Sequence, residues 1–252
     1  MLKKVFTTTV TKFLVSFFGL LIVILNSRQL GSEGLGAASL IILTISIILI
    51  INEIVVGGGL VYLVPKYSTS QIFIPGYLWS LFTAFLFYFF INKYLKLVDI
   101  QYNFHVVLLG LILTISSLHS TYLLGRQQVY RYNLIIIMQS FSQFLALISL
   151  YYVLRKKDIN SYITSLYIGY LTGFFISIIN LRKFIDKPFF KKDILSSFIK
   201  ILKYGFLSQV ANISQILNYR LCYYLIEKYI GLSDLGRFTI SMQASESTWL
   251  IS

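Results

Sequence analysis

Reactive side chains are scarce in this chain, which has one cysteine, two histidines and nine acidic residues among 252. Cys222 has no second cysteine with which to form an internal disulfide. His105 and His119 stand apart from each other and from Cys222, so no cluster has metal-ligand spacing and no cofactor is expected. Proline is limited to Pro65, expected to end the second helix, and to Pro75 and Pro188, expected at loop ends. The largest deficit is in charge. Only 12% of the residues are charged, against about a quarter in a soluble domain. Such a chain has too little polar surface to meet water on all sides.

Apolar sequence takes the place of charge. Hydrophobic residues make up 57% of the chain and mean hydropathy is +0.77. Runs near the roughly 20 residues that cross a bilayer recur along the whole length, at about 5–26, 35–56, 73–91, 103–124, 133–154, 161–181, 204–226 and 237–252. Stretches such as "LIILTISIILIINEIVV" are continuously apolar, where barrel strands would alternate. The expected fold is therefore an all-α polytopic membrane protein with about eight transmembrane helices. The N-terminal run has no small-residue cleavage site and a further span follows at once, so it reads as an uncleaved first helix.

The net charge of +13 does not point to nucleic acid, because the basic residues lie mostly in short links between spans. With the N-terminus inside, thirteen of the 22 lysines and arginines fall on the cytoplasmic side and eight outside, and Arg220 lies within a span. This bias predicts a cytoplasmic N-terminus, although seven of the thirteen sit in one segment, 182–203. That segment reads either as an amphipathic helix on the inner leaflet or as an ordinary basic loop. It divides the chain into a six-helix lobe (1–181), a basic linker (182–203) and a final part (204–252).

One internal echo stands out. Residues 27–36 read "SRQLGSEGLG" and residues 227–236 read "EKYIGLSDLG". At an offset of 200, Gly31 meets Gly231, Leu35 meets Leu235 and Gly36 meets Gly236. Both stretches follow the first helix of a block, so 204–252 is expected to begin a second, parallel repeat. The last run, about sixteen residues without a closing polar flank, is expected to be an incomplete eighth helix. "GSEGLG" lacks the Gly-Lys-Ser/Thr ending of a phosphate loop. It reads instead as a tight helical hairpin, with Gly31 and Gly36 supplying positive φ or close packing. "GGG" at 57–59 reads as a bending or packing point.

Four motifs in order carry a family resemblance: "SRQLGSEGLGAASLI", "GGGLVYLVPKY", "KYGFLSQVANISQILNYR" and "IGLSDLGRFTISMQASESTW". With them the chain resembles the bacterial polysaccharide-biosynthesis flippases of O-antigen type in the MATE-like superfamily, which resemble two six-helix lobes. The resemblance implies alternating-access export of an undecaprenyl-diphosphate-linked oligosaccharide across the bacterial plasma membrane, and no enzymatic activity. The partners it implies are that polyprenyl-diphosphate-linked glycan, membrane lipids and the glycan polymerase or glycosyltransferases of the same pathway. A drug or cation antiporter of the same fold is one alternative. A membrane-embedded glycan-processing enzyme is another, against which stand the short outer links without a His/Asp cluster.

Four charged residues inside or near spans are site candidates, since a charge there is costly unless it faces a partner or water. Arg220 would offset the lipid diphosphate, or snorkel to the headgroups, or pair with Glu227. Lys12, beside Thr7, Thr8, Thr9, Thr11 and Ser16, would extend a water-facing wall, or snorkel. Glu53, next to Asn52, would couple a proton or sodium ion, pair with Lys12, or sit at the interface. Glu246 is a further possible coupling acid, by resemblance. His119, in serine and threonine company, reads as a satisfied polar residue near the inner end, with a place facing the central cleft as the alternative. Few buried acids and several basic and hydroxyl groups favour an anionic substrate over a cation.

Overall fold

A computed structural model describes residues 2–90, 98–185 and 194–249, with backbone only at 3, 211, 215–221 and 247–249. Among the described residues the chain is helical and contains no strand. The helices are α1 (Leu2–Val56), α2 (Gly58–Leu63), α3 (Thr69–Phe90), α4 (Ile100–Gly125), α5 (Val129–Ile148), α6 (Ile159–Leu181), α7 (Ile194–Tyr229) and α8 (Leu232–Trp249). A π turn, Ser149–Val153, extends α5, and a 3-10 turn, Arg182–Phe184, ends α6.

The long α1 is two helices. Gly31 leaves helical geometry at φ 72° and ψ −175°, a left-handed conformation that glycine adopts at little cost. The two arms fold back on each other. Asn26 and Leu35, Ile22 and Ser39, Gly19 and Ile42, and Val15 and Ser46 all line one narrow cleft, and each pair is symmetric about the turn. The glycine-rich stretch is thus a helical hairpin, as its composition predicts.

Five stretches are long and apolar enough to cross a membrane: 4–63, which contains both arms, 69–90, 100–125, 129–153 and 159–184. They match six of the eight expected runs. α7 and α8 are not among the five over the described residues.

Burial in α3 is inverted relative to a water-soluble helix. Gly76, Ser80 and Thr83 are buried, whereas Leu78, Phe82, Phe85 and Phe89 are exposed. An apolar stripe facing outward and small or polar residues facing inward fit lipid surroundings, where close backbone approach and internal hydrogen bonds hold helices together. A small core joins the second arm of α1 to α7 and α8 around Leu40, Tyr223 and Leu235, and two larger cores fill the rest of the bundle. One joins α1, α4, α5 and α6 around Ile41, Ile45, Leu109, Leu147 and Leu166. The other, at the opposite end, joins the end of α1 with α2, α3, α4 and α7 around Val56, Phe73, Leu118, Tyr122 and Ile201.

Two expectations need correction. Pro75 lies inside α3, buried, and not at a loop end. It has no N–H to donate to the Gln71 carbonyl one turn earlier, so α3 forgoes that one backbone hydrogen bond. The seventh helix is already formed at Ile194, ten residues before the expected start. Residues 194–203 of the basic linker therefore belong to α7, their apolar residues continuing its helical period. Pro188 and the centre of the linker lie outside the described residues.

Candidate polar cavity

The hairpin turn makes the most intimate contact between distant parts of the chain. A Cβ at Gly36 would collide with the carbonyl oxygen of Leu232, and one at Gly236 with the carbonyl oxygen of Ser32. Exchanging each residue for its counterpart 200 positions away turns the first contact into one between Gly236 and residue 32, which is the second contact. Ser32 and Ser233 hydroxyls lie 2.8 Å apart, and Thr239 donates to Ser39 at 2.9 Å. The second arm of α1 and α8 therefore run parallel and in register, packed through small residues. Gly231, like Gly31, has positive φ.

At the other end of the hairpin a cavity of about 400 Å³ opens between α1, α4, α5 and α7. Its walls carry Glu53, Ser116, Ser117, Ser120, Thr121, Tyr132, Gln139 and Asn212. Glu53 reaches it because α1 ends three residues later. Gly57 is extended at ψ −157° and α2 restarts at Gly58, so the triple glycine bends the helix as expected. The same region packs closely on α7, for a Cβ at Gly205 would collide with the Ile54 carbonyl and one at Gly59 would crowd Gly205.

Glu53 is held by a short relay. Gln209 Nε2 donates to Glu53 Oε2 at 2.6 Å, and Asn212 Nδ2 donates to Gln209 Oε1 at 2.6 Å. Gln209 is only 1% exposed, and its two partners fix which way its amide points. The other Glu53 oxygen has no partner among the described residues. Ser120 commits its hydrogen to the Ser116 carbonyl at 2.8 Å and so turns oxygen lone pairs outward. Glu53 is the one charged side chain lining this cavity among the described residues.

The other candidates lie elsewhere. Lys12 is exposed and does not line the cavity, and the partner of Glu53 is Gln209. Its threonine neighbours turn inward onto their own helix, Thr7 and Thr8 donating to the Lys4 carbonyl, Thr9 to that of Val5 and Thr11 to that of Thr7. Arg220 is helical in backbone, but its side chain lies outside the described residues. Glu246 is exposed on α8. His119 is 2% exposed and satisfied, as expected, by the Tyr77 hydroxyl at 2.7 Å and the Ser177 hydroxyl at 2.8 Å. Two basic residues are used for packing: Arg131 donates to the Asn180 carbonyl at 3.1 Å, and Arg126 to the Tyr122 hydroxyl at 3.0 Å.

Sequence reasoning missed Gln209, Asn212, Tyr132 and Gln139. The signal existed, since amides inside an apolar helix mark an interior-facing surface as charges do. Tyr132, Gln139 and Gln143 also recur at helical spacing along α5, whose two glutamines pack against Gly173 and Gly169 of α6. No protein-family model, curated protein or solved structure matches this chain. Among the described residues, all-helical architecture with five apolar stretches of membrane-crossing length defines it as far as its class.

Proposed function

We propose that the chain is part of a membrane exporter of polyprenyl-diphosphate-linked oligosaccharide, working by alternating access in a bacterial plasma membrane with its N-terminus in the cytoplasm. Helices 1–6 form one lobe, and α7 and α8, as the seventh and eighth spans, open a second lobe in parallel orientation. The observation that carries this reading is the reciprocal packing of Gly36 and Gly236. Two sequence stretches that echo each other at an offset of 200 also meet each other as equivalents, as the corresponding helices of two lobes do beside a shared path. The motif resemblance supplies the substrate class. In this reading Arg220 and Lys12 meet the diphosphate, and Glu53 and Glu246 serve coupling. Replacing Arg220 with alanine in the host should stop surface glycan production at unchanged membrane levels of the protein. Normal surface glycan in that variant would remove Arg220 from the site.

One observation favours a second reading. The charged lining of the Glu53 cavity, among the described residues, is acidic, as suits a cation antiporter of similar architecture. Export of a cationic dye that depends on Glu53, with surface glycan untouched by loss of the gene, would establish that reading in place of the first.

A further inference from the structure

We propose that an apolar groove between α3 and the start of α7 holds an acyl chain of one anionic phospholipid, whose headgroup is met by Lys200 and Lys203. The inference rests on the reading of the chain as a membrane protein and holds whether it exports glycans or not.

Pro75, Leu78, Trp79 and Phe82 of α3, with Leu195 and Phe198 of α7, line a groove of about 470 Å³. Its size falls within the roughly 300–1,000 Å³ of ligand sites. The one polar side-chain atom among these six, the indole N–H of Trp79, donates to the Ile51 carbonyl at 3.3 Å. The Trp79 ring is thereby a fixed wall, with the Phe198 ring 6.3 Å away. Leu78 and Phe82 also belong to the outward stripe of α3 that runs on through Phe85 and Phe89, so the groove opens toward lipid.

The first turns of α7 have three sides. Ser197, Ile201 and Gly205, at i, i+4 and i+8, are buried against the bundle. Leu195 and Ile199 form an exposed apolar side. Beside it, Ser196, Lys200 and Lys203, at i, i+4 and i+7, form an exposed polar stripe. An apolar side next to a basic one is the pattern of a helix at the headgroup boundary, where lysine stems lie along apolar surface and their ammonium groups reach the phosphates. Neither lysine pairs with a carboxylate among the described residues. Lys66 adds a third cation, lying 3.7 Å over the Tyr62 ring, which stacks on Tyr204 of α7. The groove alone would take any acyl chain. The lysines make the site selective for an anionic headgroup.

The chain has two tryptophans, so in a Trp249→Phe background the fluorescence of Trp79 reports on the groove alone. The protein is reconstituted in phosphatidylcholine vesicles, and lipids with brominated acyl chains serve as contact quenchers. Brominated phosphatidylglycerol should quench Trp79 at a roughly tenfold lower mole fraction than brominated phosphatidylcholine, since each lysine near a headgroup is worth about fivefold. Lys200→Gln with Lys203→Gln should bring the two lipids within about twofold of each other, whereas Lys200→Arg with Lys203→Arg should keep the preference. Helical circular dichroism checks that both variants are folded. Equal quenching by the two lipids, or a preference that survives the glutamine pair, would overturn the proposal. So would a Trp79 shielded from both lipids, as a protein partner on the groove would leave it. Stronger relief of quenching by plain polyprenyl phosphate than by plain phosphatidylglycerol would also overturn it, giving the groove to a different lipid. No glycan enters this measurement, so its result is independent of the export reading.

Discussion

Thr239 donates a hydrogen bond to Ser39 at 2.9 Å, across an offset of 200 residues. The two occupy equivalent places, three residues beyond the stretches that echo each other in sequence. Around them Gly36 packs on the Leu232 backbone and Gly236 on the Ser32 backbone. The echo is therefore also a contact, and it joins α8 to the hairpin through the parts that are most alike.

Cysteines at 39 and 239 should report this contact directly. In a Cys222→Ser background, Ser39→Cys with Thr239→Cys is expected to form an internal disulfide under mild oxidation, seen as the loss of two hydrogens in intact mass. Thr7→Cys with Thr239→Cys, at opposite ends of the bundle, should remain reduced.

The glycines should sort by their surroundings. Gly36→Ala, Gly236→Ala and Gly205→Ala each drive a methyl group into a backbone carbonyl and should cost about 1–3 kcal/mol, as overpacking does. Gly58→Ala meets nothing within 4 Å and should be neutral or stabilising by roughly 0.5–1 kcal/mol. Thermal unfolding in detergent separates the two groups.

His119 links α4 to α3 and α6. His119→Ala leaves the hydroxyls of Tyr77 and Ser177 without it and opens a void against Phe73 and Phe174. The expected loss is about 2–4 kcal/mol. It should appear as a lowered unfolding midpoint.

Much of this architecture is legible in the sequence, and the reasons are physical. Continuous apolar runs specify helices because a bilayer leaves no other way to satisfy the backbone, and Gly31 specifies the hairpin because few other residues adopt its φ. Pro75 misleads because proline commonly marks a helix end, whereas α3 continues through it at the loss of one backbone hydrogen bond. The start of α7 is missed because a basic, amphipathic lead-in has the composition of a loop and the period of a helix. The cavity is only half legible. Glu53 is conspicuous as a charge, but Gln209 and Asn212 matter through the packing of α7 on α1, which no local pattern encodes.

Asp158 caps α6 from outside the membrane-crossing segment. It accepts from the Ser161 hydroxyl and, at 2.9 Å, from the Ser161 amide, and the hydroxyl bond foremost holds its carboxyl below the usual range. A depressed folded pKa means that the stabilisation is present above the unfolded value, near 3.9, and is lost as pH falls through the folded one. Asp158→Ala should cost about 1 kcal/mol at neutral pH. The difference from wild type should vanish when unfolding is measured at strongly acidic pH.

Loss of the gene tests the export reading most directly. In a host from which it is deleted, the polyprenyl-diphosphate-linked oligosaccharide should accumulate on the cytoplasmic face of the membrane while surface glycan disappears, and restoring the gene should reverse both. An unchanged pool of that lipid together with normal surface glycan would contradict the account.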